Sequence, residues 1–148
     1  MADTTTVLDR VLLLAHLVQA DLARFERQAG LSTARVHLLW VLGTTGPSTQ
    51  HALARALEVT PRNVTGLVDG LVASGHVTRE DHPSDRRATL VTPTPLGAST
   101  IEGLTTSHAD LAQRLFGDVP RARLAVFAEV LDETTQRFAR LMDEADEV

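Results

Sequence analysis

The sequence predicts a mainly α-helical chain of the α+β class, with several amphipathic helices around one short β-hairpin. Three observations carry this. Apolar residues recur at steps of three and four over most of the chain. Only the segment around Asp81–Arg87 is flanked by two short runs that read as strands. Gly or Pro marks the changes of pattern at Gly30, Gly46-Pro47, Gly75, Pro95 and Pro120.

Met1 to Thr6 is polar and reads as a frayed end. Val7, Val11, Leu14, Val18, Leu22 and Phe25 then follow helical spacing, with Leu8, Leu12 and Ala15 widening the face, so a long helix runs to about Gln28. A face this broad needs partners on more than one side, either a deep core or a subunit interface. Gly30 ends the helix and Ser32-Thr33 starts the next, Ala34 to Leu42, with Val36, Leu38, Leu39, Trp40 and Val41; Gly43 and Gly46-Pro47 are expected to break it. After the hairpin, Pro95 opens a helix with Leu96, Ile101, Leu104, Leu111 and Leu115 as core candidates. Pro120 opens the last, whose Leu124, Phe127, Val130, Leu131, Phe138 and Leu141 lead to the acidic Asp143-Glu144-Ala145-Asp146-Glu147 tail.

Between these ends, residues 49 to 57 form a short helix that Thr49 can cap through its hydroxyl. Glu58-Val59 makes a tight turn. Thr60 caps a second helix with Pro61 at its first position, where a missing N–H costs nothing. Val64, Leu67, Val68 and Leu71 form the buried stripe of this helix, which leaves Arg62, Asn63, Thr65, Gly66 and Asp69 facing out. A polar helix start without bulky apolar groups suits a DNA major groove, because donors must reach base edges without steric conflict. Gly75 closes the helix, and residues 76–80 and 88–92 read as the two strands of a wing around Asp81–Arg87. Arginines in such a loop suit a narrow minor groove and its flanking phosphates.

Residues 48 to 94 resemble the winged helix-turn-helix of the multiple-antibiotic-resistance-regulator (MarR) family of transcription factors. The most specific match is the run from Asp85 through Arg86, Arg87 and the alternating strand to Thr94 and Gly97, which is similar to the family's wing signature. The resemblance implies a single domain over 1–148, with the DNA-binding unit at 48–94 and dimerisation helices at 7–29 and 95–142. It further implies a homodimeric, ligand-responsive repressor. Two reading heads on half-sites about one helical turn apart would demand a palindromic double-stranded operator.

Carried over by the resemblance, Thr49 and Gln50 hold phosphate at a helix N-terminus, and Arg62, Asn63 and Thr65 read bases, with Thr60 and Pro61 shaping the approach. Arg86 and Arg87 belong to the wing, and Asp85 orients one of them, since a carboxylate beside phosphate would be repelled. Two positions depart from the family pattern: Glu58 stands where Gly is common, and Ala52 where an acidic capping partner is common. Family members often bind a small aromatic or anionic effector between the dimerisation helices and the reading head; His16, Arg35, His37, Trp40 and His108 are the polar or aromatic residues nearest that region. A core role is the alternative for each.

Composition bounds the remaining possibilities. The net charge of −5 is unevenly spread: residues 48 to 94 hold five arginines against five acids, and residues 118 to 148 hold four against eight. The acidity therefore sits mainly in the tail, and all fourteen basic residues are arginine, the side chain suited to bidentate phosphate and guanine contacts. With no cysteine, disulfides, thiolate metal sites and thiol redox sensing are excluded. No apolar run approaches a membrane span and no signal peptide opens the chain, so a cytoplasmic location is expected. No cofactor or metal is expected: His37, His108 and Asp110 fall short of the four ligands a zinc site wants. A nucleophile elbow, a glycine-rich phosphate loop and paired metal-binding histidines are all missing, which argues against an enzyme. The competing readings are a winged protein-interaction adaptor without DNA binding and a zinc-responsive regulator.

Overall fold

The structure, a computed structural model, describes residues 3–146. Met1 of the expected frayed end and Glu147 of the acidic tail lie outside them. The order is α1 (Thr4–Ala29), α2 (Thr33–Thr45), β1 (Ser48–Thr49), α3 (Gln50–Leu57), α4 (Pro61–Ala73), β2 (Val77–Asp81), β3 (Thr89–Pro93), α5 (Pro95–Phe116) and α6 (Arg121–Asp146). Two compact units result, Met1–Thr105 and Thr106–Val148.

The first unit holds the core. Leu38, Leu39 and Leu42 of α2 meet Leu53 of α3, Val64, Val68 and Leu71 of α4, and Val77 and Val91 of the two long strands, all essentially inaccessible to solvent. Three-residue and four-residue spacing puts these side chains on one face of each helix, so three short helices and a sheet enclose a single apolar centre. The helix of the second half contributes Leu104 and, half-buried, Ile101.

Several boundaries differ from the sequence reading, each for a local reason. Thr4 to Thr6 are helical, because Asp3 caps α1: its Oδ1 accepts from the Thr6 N–H at 2.8 Å and its carbonyl from Val7 N. That hydrogen bond holds the Asp3 carboxyl below its ordinary range. Gly43 does not break α2, which runs on to Thr45 and stops at Gly46 with φ of 75°. A Cβ at Gly43 would lie 2.5 Å from Cγ2 of Ile101, so this glycine serves the close approach of α5. Both strands begin one residue later than expected. Ser48-Thr49 adds a third, giving the antiparallel order β1-β3-β2 with Ser48 opposite Val91 and Arg79 opposite Val91 on the other side.

Burial also corrects two core candidates: Leu96 and Leu115 are exposed. In α1 no residue is buried, and only Leu22, Phe25 and Ala29 touch the core, while Val7, Leu8, Val11, Leu14 and Val18 face solvent. In the second unit, Phe116 and Phe127 pack with ring centroids 6.2 Å apart, and Val130, Leu131, Phe138 and Leu141 of α6 are exposed. Among the described residues no helix is long and apolar enough to cross a membrane.

Candidate nucleic-acid interface

The capping pattern read from the sequence positions the two short helices. Thr49 Oγ1 accepts from Ala52 N at 3.1 Å, and Thr60 Oγ1 accepts from Asn63 N at 3.2 Å, with Pro61 at the first position of α4. The turn between the helices passes through Glu58 in the left-handed region at φ 54°, the conformation that the expected glycine would have entered without cost. From there α4 runs with Val64, Val68 and Leu71 inward, so Arg62, Asn63, Thr65, Gly66 and Asp69 are exposed.

A chain of polar side chains ties one flank of α4 to its neighbours. Thr65 donates its hydroxyl to the Pro61 carbonyl at 3.0 Å and accepts from Gln50 Nε2 at 3.1 Å. Gln50 Oε1 accepts in turn from Arg79 Nε at 3.1 Å, and the same guanidinium donates to Asp69 Oδ1 at 2.5 Å. Thr65 and Asp69 stand one turn apart, so the contacts follow a single ridge of the helix. Gln50 is thus bonded on both ends of its amide, and the Thr65 hydroxyl is committed on both sides. Arg79, in the middle of β2, links wing and helix; the sequence reading gave it no site role. The available signal was an acid on the outward face of α4 with an arginine in the strand that follows.

The opposite flank is covered from α2. A Cβ at Gly70 would collide with the Arg35 guanidinium, so Gly70 leaves the space that this side chain fills. Arg35 therefore packs on α4. Of the other residues considered for an effector, Trp40 is half-buried against the core, His37 and His16 are exposed on α2 and α1, and His108 is exposed in the second unit. Among the described residues no group of three or more histidine and acidic side chains is placed to hold a metal ion.

The wing is held at both ends. At its base, Thr94 N donates to the His76 carbonyl and Thr94 Oγ1 to the Gly75 carbonyl at 2.6 Å, and Gly97 lies so close that a Cβ there would collide with the His76 oxygen. At its tip, Asp85 Oδ1 accepts from the backbone N–H of Arg87 at 3.0 Å. Asp85 makes no ion pair with an arginine side chain among the described residues, so its hold on the wing runs through the backbone. Arg62, Asn63, Arg86 and Arg87 all have exposed side chains that form no hydrogen bond or ion pair among the described residues, which leaves their donors available to a ligand. The arrangement offers a shallow polar helix face flanked by a projecting loop with two free guanidinium groups, a form and charge suited to a groove lined by phosphates.

Comparison with known proteins agrees with this geometry. A model of the MarR family matches residues 29–88. An uncharacterized HTH-type transcriptional regulator of Mycobacterium leprae is 30% identical over 142 residues, covering 90% of this chain and 99% of that protein. The HTH-type transcriptional repressor YetL of Bacillus subtilis is 26% identical over 91 residues, covering 62% of this chain and 54% of that protein. Among solved structures, FabT of Streptococcus pneumoniae, determined in complex with DNA, superposes with a TM-score of 0.81 at 19% identity, over 94% of this chain and 99% of that one. The chain belongs to the MarR family of winged helix-turn-helix proteins and is a DNA-binding transcription regulator rather than an enzyme.

Proposed function

We propose that the protein is a homodimeric repressor that binds a palindromic operator and is released by a small ligand. The observation that carries the reading is the outward face of α4. It is polar and open between the Arg79 and Arg35 flanks, and the Arg62 and Asn63 side chains have no partner among the described residues. In this reading Arg62 and Asn63 read base edges, and Thr65 contributes its methyl while its hydroxyl stays tied to Gln50. Thr49, Gln50, Thr60 and Pro61 set the helix starts against phosphates, and Arg86 and Arg87 reach into the flanking groove.

Dimerisation is supported by apolar surface in each unit. Val7, Leu8, Val11 and Val18 of α1 are exposed in the first, and in the second Ala122, Arg123, Val126, Phe127 and Val130 line an open apolar hollow on α6. Contiguous apolar faces of this kind mark association surfaces. Dimerisation helices at 7–29 and 95–142 therefore remain our assignment. Repression is supported by the repressor named among the relatives. For the ligand, α2 is the helix of interest, because it carries His37 and Trp40 and also presses Arg35 onto α4.

Selection of bound duplexes from a random DNA pool at near-physiological salt tests the reading. An enriched inverted repeat with half-sites about one turn apart is the expected result. No enriched inverted repeat, even at low salt and after unfolding and refolding to remove a carried ligand, would overturn the palindromic-operator reading. Trp40 is the sole tryptophan, so its fluorescence reports directly on candidate effectors.

A further inference from the structure

The tip of the wing is closed by an imidazole. His82 Nδ1 accepts from the backbone N–H of Ser84 at 3.2 Å and of Asp85 at 3.2 Å, and lies 3.3 Å from the Ser84 hydroxyl. Backbone amides only donate. Nδ1 must therefore keep its lone pair, and the ring proton sits on Nε2. Pro83 supplies no N–H and a fixed φ, so the first amide beyond His82 that can turn back to the ring is that of Ser84. The rest of the loop follows from Asp85: its carbonyl accepts from Ala88 N at 3.1 Å and its carboxylate from Arg87 N at 3.0 Å, while His82 N donates to the Ala88 carbonyl at 3.1 Å. The backbone that presents Arg86 and Arg87 is thus hung from His82 through Asp85.

We propose that His82 is a positioning residue for the DNA contact of the wing: the neutral ring organises the tip that presents Arg86 and Arg87, and protonation releases it. The inference rests on the DNA-binding reading of the wing. Its chemistry is simple, because an imidazolium presents N–H groups at both nitrogens and cannot accept from either amide. The charged groups of the same loop are Asp81, Asp85, Arg86 and Arg87. Among the described residues no hydrogen bond reaches His82 from outside residues 82–88. The tip is therefore ordered with the neutral ring and loosened with the charged one.

Asparagine separates this role from a merely structural one, because its carbonyl oxygen accepts from amides two and three residues on without titrating. Wild type, His82→Asn and His82→Ala are compared by amide and histidine-ring nitrogen spectra from pH 5.5 to 8.5, and by affinity for a duplex recovered with the wild type. The wild type is expected to show the Nε2–H tautomer at pH 8, with the Ser84 and Asp85 amides moving together with the His82 ring as pH falls. At pH 8, His82→Ala is expected to bind about fivefold more weakly, the equivalent of one neutral hydrogen bond, and His82→Asn to match the wild type. As the pH is lowered the wild type should weaken relative to His82→Asn, toward the roughly fivefold deficit of His82→Ala, a ratio in which the five other histidines cancel. Ser84 and Asp85 amides indifferent to pH, or a His82→Ala variant that binds as the wild type does, would overturn the proposal. A wild type whose affinity is unchanged by Arg86→Ala and Arg87→Ala removes the wing's DNA contact instead, and the spectra still decide whether His82 holds the loop.

Discussion

Arg79→Ala is the substitution whose effect on binding follows most directly from the structure. Arg79 and Asp69 are paired with side chains 32% and 60% exposed, so the loss in folding stability is that of a solvent-screened pair, about 0.5 kcal/mol. The loss in DNA affinity is expected to be larger, since removing the guanidinium changes the pair from neutral to −1 on the face proposed to meet the phosphates. A unit charge about 8 Å from a phosphate costs about 0.5 kcal/mol in water, and a duplex docked on this face would bring roughly two or three phosphates within a Debye length of about 10 Å. The wing also loses its tether to Gln50, a further contribution of about 1 kcal/mol. The sum is about 2 kcal/mol, or roughly 30-fold in affinity. Asp69→Asn in the Arg79→Ala background removes the stranded carboxylate and is expected to recover about 1 kcal/mol, roughly fivefold. Fluorescence anisotropy of a labelled operator at two salt concentrations measures all four members of the cycle, with thermal unfolding as the folding control. Strictly additive single effects would show that the two residues act independently and would refute the argument.

The division of labour between helix and wing is tested by Arg87→Ala, expected to weaken binding to all sequences alike and lower the salt slope by about one. Arg62→Ala or Asn63→Ala should instead alter sequence preference in a repeated selection. Glu58→Gly relieves a left-handed residue and is expected to raise stability by about 0.5 to 1 kcal/mol in urea unfolding, with DNA affinity unchanged. Gly97→Ala forces a Cβ onto the His76 carbonyl, which the Thr94 hydrogen bond holds in place, and is expected to cost about 2 kcal/mol or more by the same assay. The equivalent change at Gly43 meets only the Ile101 side chain, so Ile101→Ala should rescue Gly43→Ala where no side-chain change rescues Gly97→Ala.

Patterns that are local in the chain are legible in the sequence. Thr49 and Thr60 cap helices because a hydroxyl on an extended residue reaches the free N–H three residues on, and Pro61, Gly30 and Gly75 mark ends for reasons of backbone geometry. The stripe Val64, Val68, Leu71 already oriented α4, and so identified Arg62 and Asn63 as outward-facing. Asp3 shows where such reading stops short: the cap is equally local, but a polar end offers no apolar period to draw attention to it.

Contacts between distant segments were decided by the tertiary structure. Gly43 reads as a helix break until Ile101, far along the chain, is seen packed against it. The short strand Ser48-Thr49 exists only because Leu90 and Val91 lie beside it to take its hydrogen bonds. Arg79, whose strand position alone says nothing of partners, acquires a role because the antiparallel register carries it to Asp69 and Gln50. Arg35, considered for a ligand, turns out to pack where Gly70 leaves room on α4. Periodicity specifies which face of an element is buried, because that depends on the residue's own backbone. It cannot specify which polar groups meet across elements, because that depends on how several faces pack at once.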